Sequence, residues 1–395
     1  MMSRSFTLLV LGALFTAARS CDDIDNYFGM LGSVTEIDLG AVTTVDCPAN
    51  DEGGDLDEIL VASGTSLTIK STQSYVRFVN VKFTVEEGAT LVFDMPATWF
   101  GPNSGDEEGG TGFMLDVYDD ASVTFKGEFS ASEIRNIRSV FHNTAKGTID
   151  FKGDALFNDN GNVFRSNYGT LKFRGHTVFK NNIWLALDLM GPSSYVRFSK
   201  TATFDDNGGS FDGATGCGVA NREGTVIFRD DALFMNHKCD EGPAVFNGGK
   251  MKFYGKARFN DNQNQNDWGG GVANSDGTLL FKSAVQFNRN EAETGGGMAV
   301  TGGKVTFKKA VKFDGNGAES TGGAFSVSQG GQYGTSEESG FLEFKKPQVV
   351  RYENNVILKN EFNDQLVTGC TLAYVEDGTT LEGFDVEDVC VEDTV

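Results

Sequence analysis

The feature that most constrains the fold is a short phrase that keeps returning, each time ending on phenylalanine. Gly147-Thr148-Ile149-Asp150-Phe151 comes back as Gly169-Thr170-Leu171-Lys172-Phe173 and Gly224-Thr225-Val226-Ile227-Phe228. It comes back again as Gly249-Lys250-Met251-Lys252-Phe253, Gly277-Thr278-Leu279-Leu280-Phe281 and Gly303-Lys304-Val305-Thr306-Phe307. Weaker copies end at Phe125, Phe198 and Phe344. From Phe151 the anchors lie 22, 25, 30, 25, 28, 26 and 37 residues apart. Gaps of this kind fit β-solenoid coils with variable loops, not helical repeats of fixed length.

A second phenylalanine stands six residues after most anchors: Phe157, Phe179, Phe204, Phe234, Phe259, Phe287 and Phe313. Three residues further come Asn160, Asn182, Asn207, His237, Asn262, Asn290 and Asn316. Apolar residues also sit two before each anchor, and a small one sits four after it. This is period-two alternation broken by a polar bend such as Lys152-Gly153-Asp154, so each coil holds two short strands. A third strand follows from Gly216-Cys217-Gly218-Val219-Ala220-Asn221, repeated in Gly242 to Asn247, Gly269 to Asn274, Gly295 to Val300 and Gly322 to Val327. Each strand pairs with its copy in the next coil, which stacks equal side chains about 4.8 Å apart.

The predicted fold is therefore all-β, a right-handed single-stranded parallel β-helix with three strands per coil. Its interior is a Phe stack of Phe151, Phe173, Phe198, Phe228, Phe253, Phe281 and Phe307 in offset stacking. Asn160, Asn182, Asn207, Asn262, Asn290 and Asn316 form an Asn ladder, with His237 filling the vacant rung. Glycines are expected at positive-φ corners, and asparagine tolerates the same conformation.

The alternation of Phe-x-x-Asn with Gly-Gly-Ala motifs resembles the repeats of polymorphic outer-membrane proteins and, more broadly, pectin-lyase-like right-handed β-helices. Phe259/Asn262, Phe287/Asn290 and Phe313/Asn316 carry the first motif, and Gly322-Gly323-Ala324 carries the second. The resemblance spans roughly residues 120–345 and implies an adhesin-like surface role. Such bacterial proteins also carry a membrane β-barrel. The residues after Phe344 are too few for its strands, so an autotransporter is not expected.

Residues 1–20 read as a signal peptide: Arg4, the apolar run Phe6 to Phe15, and Ala18-Arg19-Ser20 before a cut at Cys21. Residues 21–112 are expected to form an N-terminal cap and first irregular coils. Residues 113–345 form the regular β-helix, and 346–395 the last coils and an acidic tail. No later run is long and apolar enough for a transmembrane segment. The expected location is secreted and extracellular. There, six cysteines suggest three sequence-local disulfides, Cys21–Cys47, Cys217–Cys239 and Cys370–Cys390.

With 33 Lys+Arg against 55 Asp+Glu, the net charge of −22 argues against nucleic acid as a partner. The acid pairs Asp119-Asp120, Asp205-Asp206 and Asp230-Asp231 invite comparison with glycoside-cleaving β-helices. The Gly-His-Gly and Arg-Ile-Lys segments of pectin hydrolases do not occur, and Arg165, Lys172, Arg174 and Lys180 are scattered across turns. No catalytic residues and no metal ligands are assigned. Asp205-Asp206-Asn207-Gly208 and Asp314-Gly315-Asn316-Gly317 leave weak surface Ca²⁺ binding open, with no other cofactor expected. Trp99, Trp184 and Trp268 are weighed as sugar-stacking rings and read mainly as packing. The expected function is a non-catalytic secreted scaffold that contacts extracellular polysaccharide or a surface protein. The alternative is a polysaccharide-active lyase or hydrolase.

Overall fold

The computed structural model describes residues 36–40, 42–46, 57–101, 110–134, 137–144, 146–208, 216–239, 244–264, 268–327, 341–344, 350–353, 356–357, 373–376, 380–382 and 390–392. Among these there is no helix, and the chain forms a parallel β-solenoid. Sheet 1 has 13 strands from Glu36–Asp38 to Thr380–Glu382 and carries the Phe anchors. Sheet 2 has 12 strands from Thr44–Asp46 to Val350–Glu353 and carries the second phenylalanines. Sheet 3 has 13 strands from Asp57–Val61 to Cys390–Glu392. A strand pairs with its homologue one coil away and never with its sequence neighbour, so each contact closes a full coil.

The anchors stack in register. Phe151 pairs with Phe173, Phe173 with Phe198, Phe198 with Phe228, Phe228 with Phe253, Phe253 with Phe281 and Phe281 with Phe307. Ring centroids along this column are 4.6–5.0 Å apart and the planes lie 2–12° from parallel. Phe93 and Phe125 continue it toward the N-terminus. The second phenylalanines form a parallel column, and the two columns meet edge to face, as where Phe228 and Phe234 lie 5.8 Å apart at 81°. Backbone pairing imposes the stacked contacts. The quadrupole of each ring favours the perpendicular ones.

The Asn ladder closes the corner after sheet 2. Asn160 Nδ2 donates to Asn182 Oδ1 at 3.0 Å, Asn182 to Asn207 at 2.6 Å, Asn262 to Asn290 at 2.8 Å and Asn290 to Asn316 at 2.9 Å. The same amides donate to main-chain carbonyls of the preceding coil, Asn160 to Ala131 O and the others to Phe carbonyls, for example Asn182 to Phe157 O and Asn290 to Phe259 O. All of these asparagines are buried, so each one satisfies main-chain groups that water cannot reach.

Backbone conformation corrects one expectation. The left-handed residue of this corner is not the ladder asparagine but the residue before it. Asp159, Asn181, Asp206, Asn236, Asp261, Arg289 and Gly315 all have φ between 51° and 63°. Ladder side chains are committed to neighbouring coils, so the strained conformation falls one position earlier. Where the bend after an anchor holds a glycine, as at Gly127, Gly153, Gly175 and Gly255, it serves close approach rather than positive φ: a Cβ on Gly153 would stand 2.3 Å from Gly127 O. At the entry to sheet 3 the positive-φ expectation does hold, for Gly295 and Gly322.

Three features extend the sequence reading. A fourth parallel sheet of five short strands, Lys238–Cys239 to Val356–Ile357, follows the ladder in the C-terminal coils. A second amide ladder runs in sheet 3 from Asn221 through Asn247 to Asn274, with contacts of 2.8 and 2.7 Å. The strands before residue 113 already belong to the same sheets, since Thr90–Asp94 pairs with Ser122–Phe125. Cys217 and Cys239 are bonded, with Cα atoms 6.3 Å apart. Cys21, Cys47, Cys370 and the side chain of Cys390 lie outside the described residues, as do the signal segment and the insertion from Gln329 to Gly340.

Candidate functional site

The Phe stack and the Asn ladder point inward and are consumed by the fold, so anything offered to a partner sits on the outer faces. The acid pairs do not converge there. Asp119 accepts from Thr144 Oγ1, and Asp120 meets Lys146 at 3.3 Å. Asp205 accepts from Asn236 Nδ2 at 2.8 Å and lies 3.4 Å from Lys180. Asp230 accepts from the Asp231 amide, and Asp231 from the Lys256 amide, so both hold the bend. In the two loops weighed for Ca²⁺, Asn207 and Asn316 are ladder members and Asp314 pairs with Lys312 at 2.8 Å. Among the described residues no three His, Cys, Asp or Glu side chains are grouped to hold a metal ion.

His237 fills the ladder rung between Asn207 and Asn262. Its Nδ1 lies 2.8 Å from the Asn207 carbonyl, and its buried Nε2 has no hydrogen-bond partner. Burial lowers its pKa from 6.5 to about 4, outweighing the opposing pull of the Asn207 backbone, Asp205 and Asp206. The unfolded chain therefore takes up a proton at pH 6.5 while the folded one stays neutral. Stability is expected to fall as pH drops from 6.5 to about 4, by on the order of 3 kcal/mol once complete. Above pH 6.5 this residue contributes no pH dependence. His237→Asn should remove that increment, seen as a smaller shift of the urea midpoint between pH 7.5 and pH 4.5. Equal shifts in the two proteins would refute the assignment.

A groove of about 450 Å³ crosses the outer face of sheet 2 in the N-terminal coils. Its floor is a row that the pairing aligns: Trp99, Ser130, Leu156 and Val178. Ser130 follows the large indole, and its short side chain leaves space beside the ring. Arg77 rests 4.1 Å over the Trp99 ring, and Trp99 Nε1 donates to Ser132 Oγ at 2.8 Å, so the indole is fixed in place. Tyr75 and Leu156 add exposed apolar surface, 48% and 41% accessible.

Beside this row the bend brings Glu128, Asp154 and His176 together on successive coils, all three exposed and all lining the groove. Asp154 Oδ1 accepts from the His176 amide at 2.7 Å, and His176 Nδ1 meets Thr201 Oγ1 at 2.5 Å. The sequence reading did not join these residues, because Glu128 and His176 are 48 positions apart and only the coil register makes them near neighbours. Of the weighed indoles, Trp99 lines the groove. Trp268 instead bridges its backbone to Thr294 and accepts from Asn264 at 3.2 Å. Trp184 is half-buried.

No helix of the described residues is long and apolar enough to cross a membrane. In comparison with known proteins, the chain matches no family model, no curated protein and no solved structure.

Proposed function

We propose that this protein is a secreted, non-catalytic scaffold that binds extracellular polysaccharide along the sheet 2 groove. The coil is read as right-handed and pectin-lyase-like, with three principal strands. The near-universal right hand of parallel crossovers supports that handedness. One observation carries the functional reading: a row from Trp99 to Val178, apolar except at Ser130, runs beside a polar row from Glu128 to His176, both along the solenoid axis. Four rungs span three inter-strand intervals, a track of about 14 Å, a length suited to a short stretch of a linear sugar chain. Aromatic and aliphatic faces take the apolar faces of the sugars, while carboxylates and imidazole bond their hydroxyls.

Isothermal titration with soluble polysaccharides tests this. Trp99→Ala combined with Leu156→Asp should weaken binding at least tenfold with an unchanged melting profile. A wild-type protein that retains no polysaccharide, or variants that bind equally well, would refute it.

A second reading, a glycan-cleaving enzyme, draws on the same rows. Two carboxylates with a histidine in one groove are the raw material of acid–base chemistry. Both carboxylates stand in water, however, without the apolar enclosure that makes a general acid. Release of reducing ends that Glu128→Gln and Asp154→Asn abolish would establish the enzyme instead.

A further inference from the structure

The outer face of sheet 1 changes character halfway along the solenoid. In the N-terminal coils three of its cations are matched by acids on neighbouring coils: Lys70 with Glu36 at 2.7 Å, Lys126 with Asp94 at 2.7 Å and Arg174 with Asp150 at 2.8 Å. Between Tyr195 and Lys282 no cation of this face makes an ion pair with an acid among the described residues. The segments 195–201, 225–231, 250–256 and 278–284 contain seven Lys or Arg and two acids, in a chain where acids outnumber bases 55 to 33. Those two acids, Asp230 and Asp231, are spent on bend amides.

Register turns this composition into an array. Arg197, Ile227, Lys252 and Leu280 form one outward row through direct pairing. Arg229, Tyr254 and Lys282 form the next, since each of their amides bonds the anchor carbonyl of the preceding coil. Arg229 sits 4.4 Å from the centre of the Tyr254 ring and Lys282 Nζ sits 4.2 Å from it. The ring lies between two cations from the coils on either side and holds both in place. Cations on neighbouring rungs repel one another and cost stability. A surface that is acidic elsewhere concentrates them on this one face.

We propose that the sheet 1 face from Arg197 to Lys282 binds a linear anionic polysaccharide, sulfated or carboxylated, lying along the solenoid axis. Charge complementarity selects an anion, and cations repeated along the axis select a polymer. Nucleic acid fits less well. Single strands are gripped by free aromatic platforms, and Tyr254 has a cation over its ring from each neighbouring coil. Duplex carries a negative charge about every 1.7 Å, which the acidic remainder of the chain repels. This site is separate from the sheet 2 groove and stands without it.

The test uses the full secreted chain with a defined heparin fragment, neutral dextran and a single-stranded DNA of equal charge. Wild type should bind heparin and not dextran, with affinity falling steeply as salt rises. Arg229→Gln, Lys252→Gln and Lys282→Gln together should weaken heparin at least tenfold and reduce the log–log salt slope by roughly two. The three side chains are outward, so circular dichroism and melting should be unchanged, and Trp99→Ala should bind heparin as wild type does. The proposal is overturned by any of four results: no heparin binding, an unaffected triple variant, DNA bound as tightly as heparin, or an equal loss in Trp99→Ala.

Discussion

Phe228→Ala is expected to destabilise the protein by about 3–5 kcal/mol and to split its unfolding into two transitions. Phe228 is fully buried, stacked on Phe198 at 4.8 Å and on Phe253 at 4.6 Å, with edge contacts to Phe204 and Phe234. Removing the ring deletes contacts on both sides of one coil. A compact core could partly collapse into the gap, but here the coil spacing is fixed by strand hydrogen bonds above and below. A solenoid holds together through nearest-neighbour interfaces, so weakening two adjoining ones uncouples the coils before 228 from those after it. Phe228→Leu, which keeps most of the volume, should cost well under half as much and leave a single transition. Urea unfolding followed by Trp99 and Trp268 fluorescence, on opposite sides of the cut, measures this. Coincident curves from both probes in Phe228→Ala would contradict a nearest-neighbour solenoid.

Much of this core was legible because it repeats. Period-two alternation around each Phe placed both columns, the Asn that follows placed the ladder, and near-repeat cysteine spacing placed Cys217–Cys239. What stayed hidden depends on which residues share a rung. The second ladder was in plain view as the last residue of Val219-Ala220-Asn221 and Val272-Ala273-Asn274, yet nothing in one copy says whether that Asn faces in or out. The fourth sheet uses pieces such as Lys238–Cys239 and Gln263–Asn264, too short and polar to show alternation. The left-handed corner was read one residue late, because Asp, Asn and Arg alternate there while the ladder Asn recurs.

Function was harder to read for a related reason. Loops of unequal length put Glu128 and His176, or Arg197 and Lys252, at irregular distances along the chain. Only the hydrogen-bonded register restores their adjacency. The two proposed surfaces also face different ways, an apolar-and-polar groove on sheet 2 and a cationic array on sheet 1. If both proposals hold, one solenoid carries two binding faces and can cross-link two polymers, which neither face does alone.

The coils are also tied together by the buried amides, and Asn290→Leu probes these most severely. Asn290 donates to Asn316 Oδ1 and Phe259 O, both at 2.9 Å, and its Oδ1 accepts from Asn262 Nδ2 at 2.8 Å and the Asn262 amide at 3.2 Å. Leucine fills similar space, so the loss isolates hydrogen bonding from packing. Two buried main-chain groups, Phe259 O and the Asn262 amide, lose these side-chain bonds, and each such loss costs about 1–3 kcal/mol. The expected destabilisation is about 4 kcal/mol. Asn290→His should recover a good part of it, because His237 already occupies an equivalent rung and accepts burial there. Amide hydrogen exchange at Asn262 gives the local readout: protection should drop sharply in Asn290→Leu and partly return in Asn290→His. If leucine leaves both global stability and that protection intact, the ladder is a passenger of the phenylalanine columns rather than a second source of order.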